Sequence, residues 1–305
     1  MKYAVLADKQ VRSVGDEIAK KYGAPLILFE GGEKNKTREQ KALLEDALFL
    51  KGLSRQSTLI VVGGGVTTDI GGFIAATFCR GIPWICVPTS LLAMVDASIG
   101  GKTGVDTPFG KNLIGAFHPP EQIIINLEFL RTLPKKEIRN GIVEMIKHGL
   151  IRSREHFDLI RTHLDDLFEI KPLLAKAIEQ SIAIKQKVVD EDQKEQGISR
   201  HLLNFGHTVG HAIETESDYK ISHGEAVGIG ILAEIKLAGQ DYPEVNDLFK
   251  KLDIQIPKLH HEKLWQIMLA DKKTKEGVPQ MVKLKEIGEA ESFLVPIDFE
   301  SFKKI

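Results

Sequence analysis

An α/β half followed by a helical half is the fold class this sequence predicts, on three observations. Short apolar runs alternate with helix-patterned segments as far as Leu133-Pro134. Beyond that point helical periodicity dominates and convincing strand runs are scarce. The chain of 305 residues is also long for one core of ordinary size. The expected division is residues 1–133 and 134–305.

Tyr3 to Ala7 is a β-prone run ending at Asp8, and Val11 to Tyr22 carries apolar residues at helical spacing. Pro25 to Phe29 is a second strand candidate. Thr37 to Leu53 reads as an amphipathic helix with Leu43, Leu44, Ala47, Leu48 and Leu50 on its inner side and Gly52 near its end. Thr58 to Val62 is the clearest buried strand. Strand, helix and strand in succession imply parallel strands joined by crossovers, because a tight hairpin cannot link parallel neighbours. Ligands of such sheets sit beyond the strand carboxyl ends, which places chemistry near Asp8, Glu30 to Lys36 and Gly63 to Gly65. In the second half Lys135 to Ile151, Phe157 to Leu167, Pro172 to Val189, Leu202 to Glu214, Ala226 to Ala238 and Val245 to Leu252 read as helices.

Hydrophobic residues at 43% and charged residues at 27% are the balance of a globular protein. Lys+Arg 41 against Asp+Glu 42 leaves a formal net charge of -1, so no global basic field advertises nucleic acid. Cys79 and Cys86 have no metal-type spacing, and a reducing compartment fits. No apolar run is long enough for a signal peptide or a membrane span, so a cytoplasmic protein is expected.

Gly63-Gly64-Gly65 closes a strand and opens a helix containing Asp69, where glycines let backbone approach a pyrophosphate and the helix start offers unpaired N–H groups. A plain strand-to-helix turn is the alternative. The dinucleotide fingerprint is incomplete, with Thr68 where its third glycine belongs, and the Walker A pattern fails. Ser98 to Gly104 and Gly110-Lys111-Asn112 form a second glycine-rich region, read as flexible, exposed backbone whose lysines suit an anion. Glu144, His207, His211 and His223 are the metal candidates, with structurally satisfied histidines as the alternative. His207 and His211, four apart, share a helix face, whereas His223 lies in a loop-like stretch. Thr208 stands where a zinc protease needs glutamate, which disfavours peptide hydrolysis.

Together, Gly63 to Val66 with Asp69, Arg80-Gly81, the run from Pro88 to Asp96, Ser98 to Lys102, Gly110 to Asn112, Glu144-x-x-Lys147, Asn204-x-Gly206-His207-Thr208 and His223-Gly224-Glu225 resemble the 3-dehydroquinate synthase family. The resemblance implies a Rossmann-like NAD-binding domain with a parallel sheet, an all-α carboxy-terminal domain, a divalent metal, zinc or cobalt, and an active site in the cleft between the domains. It implies Glu144, His207 and His223 as metal ligands, which moves His211 to the substrate. Asp8, Glu33, Lys36, Gly63, Gly64, Gly65, Asp69, Thr89, Ser90, Lys102, Lys111, Phe129 and Thr132 match NAD-contacting positions. Arg80, Asp96, Lys102, Asn112, Lys147, Lys185, Glu195, Arg200, Asn204, His211 and Lys272 match substrate-site positions, with Arg80 reaching in from the other subunit of a homodimer.

The implied reaction turns 3-deoxy-D-arabino-heptulosonate 7-phosphate, a sugar phosphate, into 3-dehydroquinate and phosphate, a shikimate-pathway step. Transient oxidation at C5 acidifies C6, phosphate leaves by β-elimination, hydride returns, and ring opening with an aldol closure follows, so net redox change is zero. Two other readings share much of this pattern: a valiolone- or inosose-forming cyclase and a metal-dependent polyol dehydrogenase. Asn204 and Lys272 favour the carboxylated substrate over the first, and Glu144-x-x-Lys147 argues against the second.

Overall fold

In the computed structural model, which describes residues 2–193, 195, 197–270 and 277–305, the short apolar runs of the first half become a parallel sheet. Its strands are β1 (Lys2–Asp8), β2 (Leu26–Phe29), β3 (Ser57–Gly63), β4 (Trp84–Pro88) and, placed seventh in the chain, β7 (Gln122–Ile123), in the order β2-β1-β3-β4-β7. Every pairing is parallel, with Val5 opposite both Leu26 and Ile60, and Val62 opposite Val87. The strands are apolar on both faces because both faces are covered. Leu6, Leu59, Val61, Trp84 and Cys86 pack with α2 (Arg38–Leu50) and α3 (Gly65–Thr77), while Val5, Ala7, Ile60, Val62, Ile85 and Val87 pack with residues of α1 (Arg12–Tyr22).

Local signals set the helix ends. Thr37 accepts a hydrogen bond from the Gln40 N–H at the start of α2, and Gly23, left-handed at φ 58°, stops α1. Helix α2 buries Leu44 and Leu48, one turn apart, but exposes Leu43 by 65% and Leu50 by 87%. The inward face expected from the sequence was therefore too wide by two leucines: a helix lying on a sheet buries one stripe, not every apolar side chain it carries.

The second glycine-rich region is also corrected. It is not flexible loop but an antiparallel hairpin of β5 (Lys102–Thr107) and β6 (Gly110–Phe117), pairing Thr103 with Ala116 and Gly104 with Gly115. A Cβ on Gly115 would stand 2.0 Å from the Thr103 carbonyl oxygen, so glycine serves close backbone approach there. Just before it, Ala93–Ala97 forms a π-helical turn in which the Ser98 N–H reaches back five residues to the Ala93 carbonyl at 3.1 Å.

The chain divides into two compact units, Met1–Glu137 and Ile138–Ile305. The second is built from all but the first three residues of α4 (Lys135–Arg152), with α5 (Arg154–Thr162), α6 (Pro172–Glu191), α7 (His207–Glu216), α8 (His223–Leu237), α9 (Pro243–Lys251) and α10 (His261–Ala270). Pro172 and Pro243 open α6 and α9, where a missing N–H costs nothing. Besides its helices this unit carries a hairpin, β8 (Gln280–Glu286) with β9 (Glu289–Pro296), and a closing turn α11 (Phe299–Phe302), none of which the helical periodicity announced. Helices α7 and α8 meet backbone to backbone. A Cβ on Gly230 would lie 1.9 Å from the Gly206 carbonyl oxygen, and one on Gly210 would lie 2.9 Å from that of Ala226. Among the described residues no helix is long and apolar enough to cross a membrane.

Candidate functional site

In the first unit the strand carboxyl ends bring the expected residues to one edge. Strand β1 pairs with β2 on one side and β3 on the other, and each connection departs in its own direction, so a switch point opens beyond Asp8 and Gly63. Helix α3 begins there with Gly64 at its N-cap and no side-chain cap, leaving its first N–H groups for a ligand. The Thr89 N–H donates to the Gly63 carbonyl at 2.9 Å, and Ser90 Oγ lies 3.4 Å from where a Gly64 Cβ would be. Asp8 Oδ1 accepts from the Gln10 N–H, while Gly31 lies so near that a Cβ would come within 1.9 Å of Oδ2.

Beside this edge Lys36, almost fully buried, donates to Asp69 at 2.5 Å and to Asn112 Oδ1 at 2.6 Å. Burial alone would pull its ammonium down, but Asp69 and Glu33 outweigh it and hold the group above its ordinary range. Lys111 pairs with Glu33 at 2.8 Å. Glu33, Lys36, Asp69, Lys111 and Asn112 thus form one charged cluster. Asp106, which the sequence did not single out, joins it: its carboxylate accepts from the Asn112 N–H at 2.9 Å and its own N–H donates to the Lys36 carbonyl at 2.7 Å. Burial lifts the Asp106 carboxyl above its ordinary range against the pull of Lys36.

The remaining expected residues of this unit are more scattered. Lys102 is exposed at the start of β5, and Asp96 is half-buried in the π-turn. Phe129 and Thr132 lie on the 3-10 turn Leu127–Thr132, Phe129 packed against the Val5 layer and Thr132 exposed. Arg80 is exposed at φ 69°, preceded by Cys79 at φ 51°. Two consecutive non-glycine residues in the left-handed region are a strained arrangement that the surrounding fold must hold.

In the second unit Glu144, His207 and His223 come together from three helices. Glu144 lies inside α4, fully buried, while His207 and His223 are the first residues of α7 and α8. His223 is therefore helical, not in a loop. Their donor atoms lie within 4.8 Å of one another, with His207 Nε2 3.5 Å and His223 Nε2 3.4 Å from Glu144 Oε1. His207 Nδ1 meets the Phe205 carbonyl at 3.1 Å, and His223 Nδ1 meets Glu214 Oε2 at 3.2 Å. Each ring is thus engaged on the side away from Glu144. Burial alone would lower the His223 imidazole, but Glu214 and then Glu144 outweigh it and push it up to about 10. A buried carboxylate facing two imidazole nitrogens is a donor set that a divalent ion fits.

Around it, His211 stands edge-on to His207 with ring centroids 5.2 Å apart, and its ring lies 6.2 Å from that of His223. Lys147, buried, is ion-paired with Glu144. Lys185 is buried in α6; Arg200, buried in the 3-10 turn Ser199–Asn204, donates from Nη1 to the Gln193 carbonyl at 2.7 Å. Asn204 ends that turn, Glu195 sits at φ 54°, and Lys272 lies outside the described residues. Glu214 was not singled out from the sequence. Its position seven residues after His207 and three after His211, on one helical stripe, was the available signal.

Family models described as 3-dehydroquinate synthase N-terminal and 3-dehydroquinate synthase C-terminal match residues 26–140 and 141–274. A 3-dehydroquinate synthase of Prochlorococcus marinus is 42% identical over 283 residues, 88% of this chain and 77% of that protein. Among solved structures, 2-epi-5-epi-valiolone synthase from Streptomyces hygroscopicus with NAD+ and Zn2+ bound superposes with a TM-score of 0.90 at 27% identity, covering 99% of this chain and 89% of that one. A 2-deoxy-scyllo-inosose synthase complexed with carbaglucose-6-phosphate, NAD+ and Co2+ gives 0.87 at 27% identity, with the same coverage of both chains. With both halves matched, and with an identity to the synthase well above that to either other cyclase, this chain belongs to the 3-dehydroquinate synthase family.

Proposed function

We propose that this enzyme converts 3-deoxy-D-arabino-heptulosonate 7-phosphate to 3-dehydroquinate and phosphate, using NAD and a divalent metal. The observation that carries the reading is the 42% identity to a 3-dehydroquinate synthase over most of both chains. Bound NAD supplies a reversible hydride acceptor, and a bound divalent ion supplies a Lewis acid. Gly63, Gly64 and Gly65, with the uncapped start of α3, would hold the NAD pyrophosphate; Asp8, Glu33, Lys36, Asp69, Thr89, Ser90, Lys102, Lys111, Phe129 and Thr132 complete that set. Glu144, His207 and His223 would hold the ion. Lys147 is ion-paired with Glu144 where both are buried, so it lies beside the ion that Glu144 would hold. Lys102, Lys185, Arg200, His211 and Lys272 meet the substrate's phosphate and carboxylate, and Asp96, Asn112, Glu195 and Asn204 orient its hydroxyls.

A homodimer in which Arg80 serves the partner's site is part of the proposal. It is supported by the outward, strained Cys79-Arg80 turn and by an exposed apolar strip nearby, where Phe49 stacks on Phe78 at 4.4 Å while Leu50 and Leu43 face outward. Both cysteines are free thiols, which suits the reducing cytoplasm as its place of work.

The test is incubation with the heptulosonate phosphate, NAD and zinc, following phosphate and NADH absorbance together. Stoichiometric phosphate without accumulating NADH supports the reading. Accumulating NADH would make the protein a dehydrogenase, and turnover only of a sugar phosphate lacking the carboxylate would make it a cyclase of the valiolone or inosose kind.

A further inference from the structure

We propose that Glu214 is the positioning residue of the metal centre, holding His223 by its Nδ1–H so that Nε2 turns toward Glu144 and His207. The inference rests on the reading of His223 as a metal ligand. The two nitrogens of an imidazole point away from each other, so a ring that offers Nε2 to an ion beside Glu144 must dispose of Nδ1 elsewhere. Glu214 Oε2 stands there at 3.2 Å, on a side chain only 4% exposed. It is fixed by helix α7, which also delivers His207, so one helix sets one ligand and orients another.

The two histidines are held differently. His207 Nδ1 faces the neutral Phe205 carbonyl, whereas His223 Nδ1 faces a carboxylate. A carboxylate behind a ligand histidine fixes its tautomer and raises the electron density that Nε2 gives to a metal. His211, Glu214 and His223 also bring donor atoms within 4.8 Å of one another, so direct ligation by Glu214 is the competing arrangement. It would take His223 through Nδ1 and leave Nε2, at 3.4 Å from Glu144, turned from the ion.

The experiment uses the full chain without substrate: zinc affinity by competition with a chromophoric chelator, the visible spectrum of the Co2+-loaded protein, and the melting temperature of the metal-free protein. Glu214→Ala is expected to weaken zinc about 10–100-fold. Glu214→Gln, which keeps an acceptor oxygen but not the charge, is expected to weaken zinc less, about 3–10-fold, and to keep a Co2+ spectrum close to that of the unaltered chain. Zinc affinity within twofold of the unaltered chain in both variants, while His223→Ala loses zinc, overturns the positioning role. A Gln variant that loses as much as His223→Ala makes Glu214 a ligand and overturns it too. Unchanged zinc affinity in His223→Ala removes the ligand reading itself. Should Glu214→Ala fail to fold, the Gln variant decides alone: a partial loss supports the proposal, and none overturns it.

Discussion

Replacing Gly230 by alanine should damage both the stability of the second unit and the proposed metal centre. In an isolated helix interior the change is favourable by about 1 kcal/mol, because alanine has the higher helix propensity. In this fold the new Cβ would stand 1.9 Å from the Gly206 carbonyl oxygen, where 3.0 Å is already closer than real Cβ atoms come. The obstacle is backbone, not the end of a flexible side chain, so α7 and α8 must part by about 1.1 Å, the difference between those distances. Overpacking of that kind costs about 3 kcal/mol, which outweighs the propensity gain. Gly206 immediately precedes His207, and donor groups must be held to within about 0.5 Å, so zinc affinity should fall at least tenfold. Urea denaturation of the metal-free protein and chelator competition measure the two effects. Gly239→Ala is the control, since nothing lies within 4 Å of its Cβ position and only the strain of φ +67° is added. A Gly230→Ala protein as stable as the parent, with unchanged zinc affinity, would refute the backbone-contact reasoning.

Lys36→Met removes the buried cation from Asp69 and Asn112 and should cost about 3 kcal/mol, the low end for breaking a buried pair because Asp69 keeps 20% of its side chain exposed. The double variant Lys36→Met/Asp69→Leu should recover much of that loss in urea denaturation; equal stability of parent and single variant counts against the network. His156 is neutral in the fold, held down to about 4 by burial despite the Gln180 contact. Because its folded pKa lies below the unfolded value of about 6.5, its contribution is complete above that pH and is lost as pH falls toward 4, about 3 kcal/mol in all. His156→Gln should flatten the stability profile in that window, and an unaltered slope would be the contrary result. Lys102→Ala should lower turnover at least a hundredfold with an unchanged melting temperature, and near-normal kinetics would remove Lys102 from the site.

The sequence announced the parallel sheet because β1 and β3 are buried on both faces and therefore read as unbroken apolar runs. Through periodicity it announced α4 to α9, but not α10 or α11. It misread the β5–β6 hairpin because glycines that permit close strand approach, such as Gly115, look the same in sequence as glycines of a loop. Leu43 and Leu50 looked inward for a similar reason: periodicity marks a stripe but does not say how wide the covering surface is. At the candidate site Glu144, His207 and His223 were nameable through a family pattern, whereas bare spacing pointed equally to His211. Glu214 and Asp106 do not stand out in the sequence because each matters through a partner brought close by tertiary packing, His223 in one case and the Asn112 backbone in the other.

The π-turn at Ala93–Ala97 makes the length of this stretch as consequential as its composition. Its wide hydrogen bond from Ser98 to Ala93 accommodates one residue more than an α-turn would, just ahead of Ser98 to Lys102. Deleting one residue ahead of Asp96 would let the backbone relax into an ordinary α-turn and rotate the residues left inside the turn by about 100°, the angle a single residue subtends in a helix. Asp96 would then face a new direction although no side chain in the segment had been chemically altered. Variation by insertion or deletion in this stretch should therefore be far more damaging than variation by substitution.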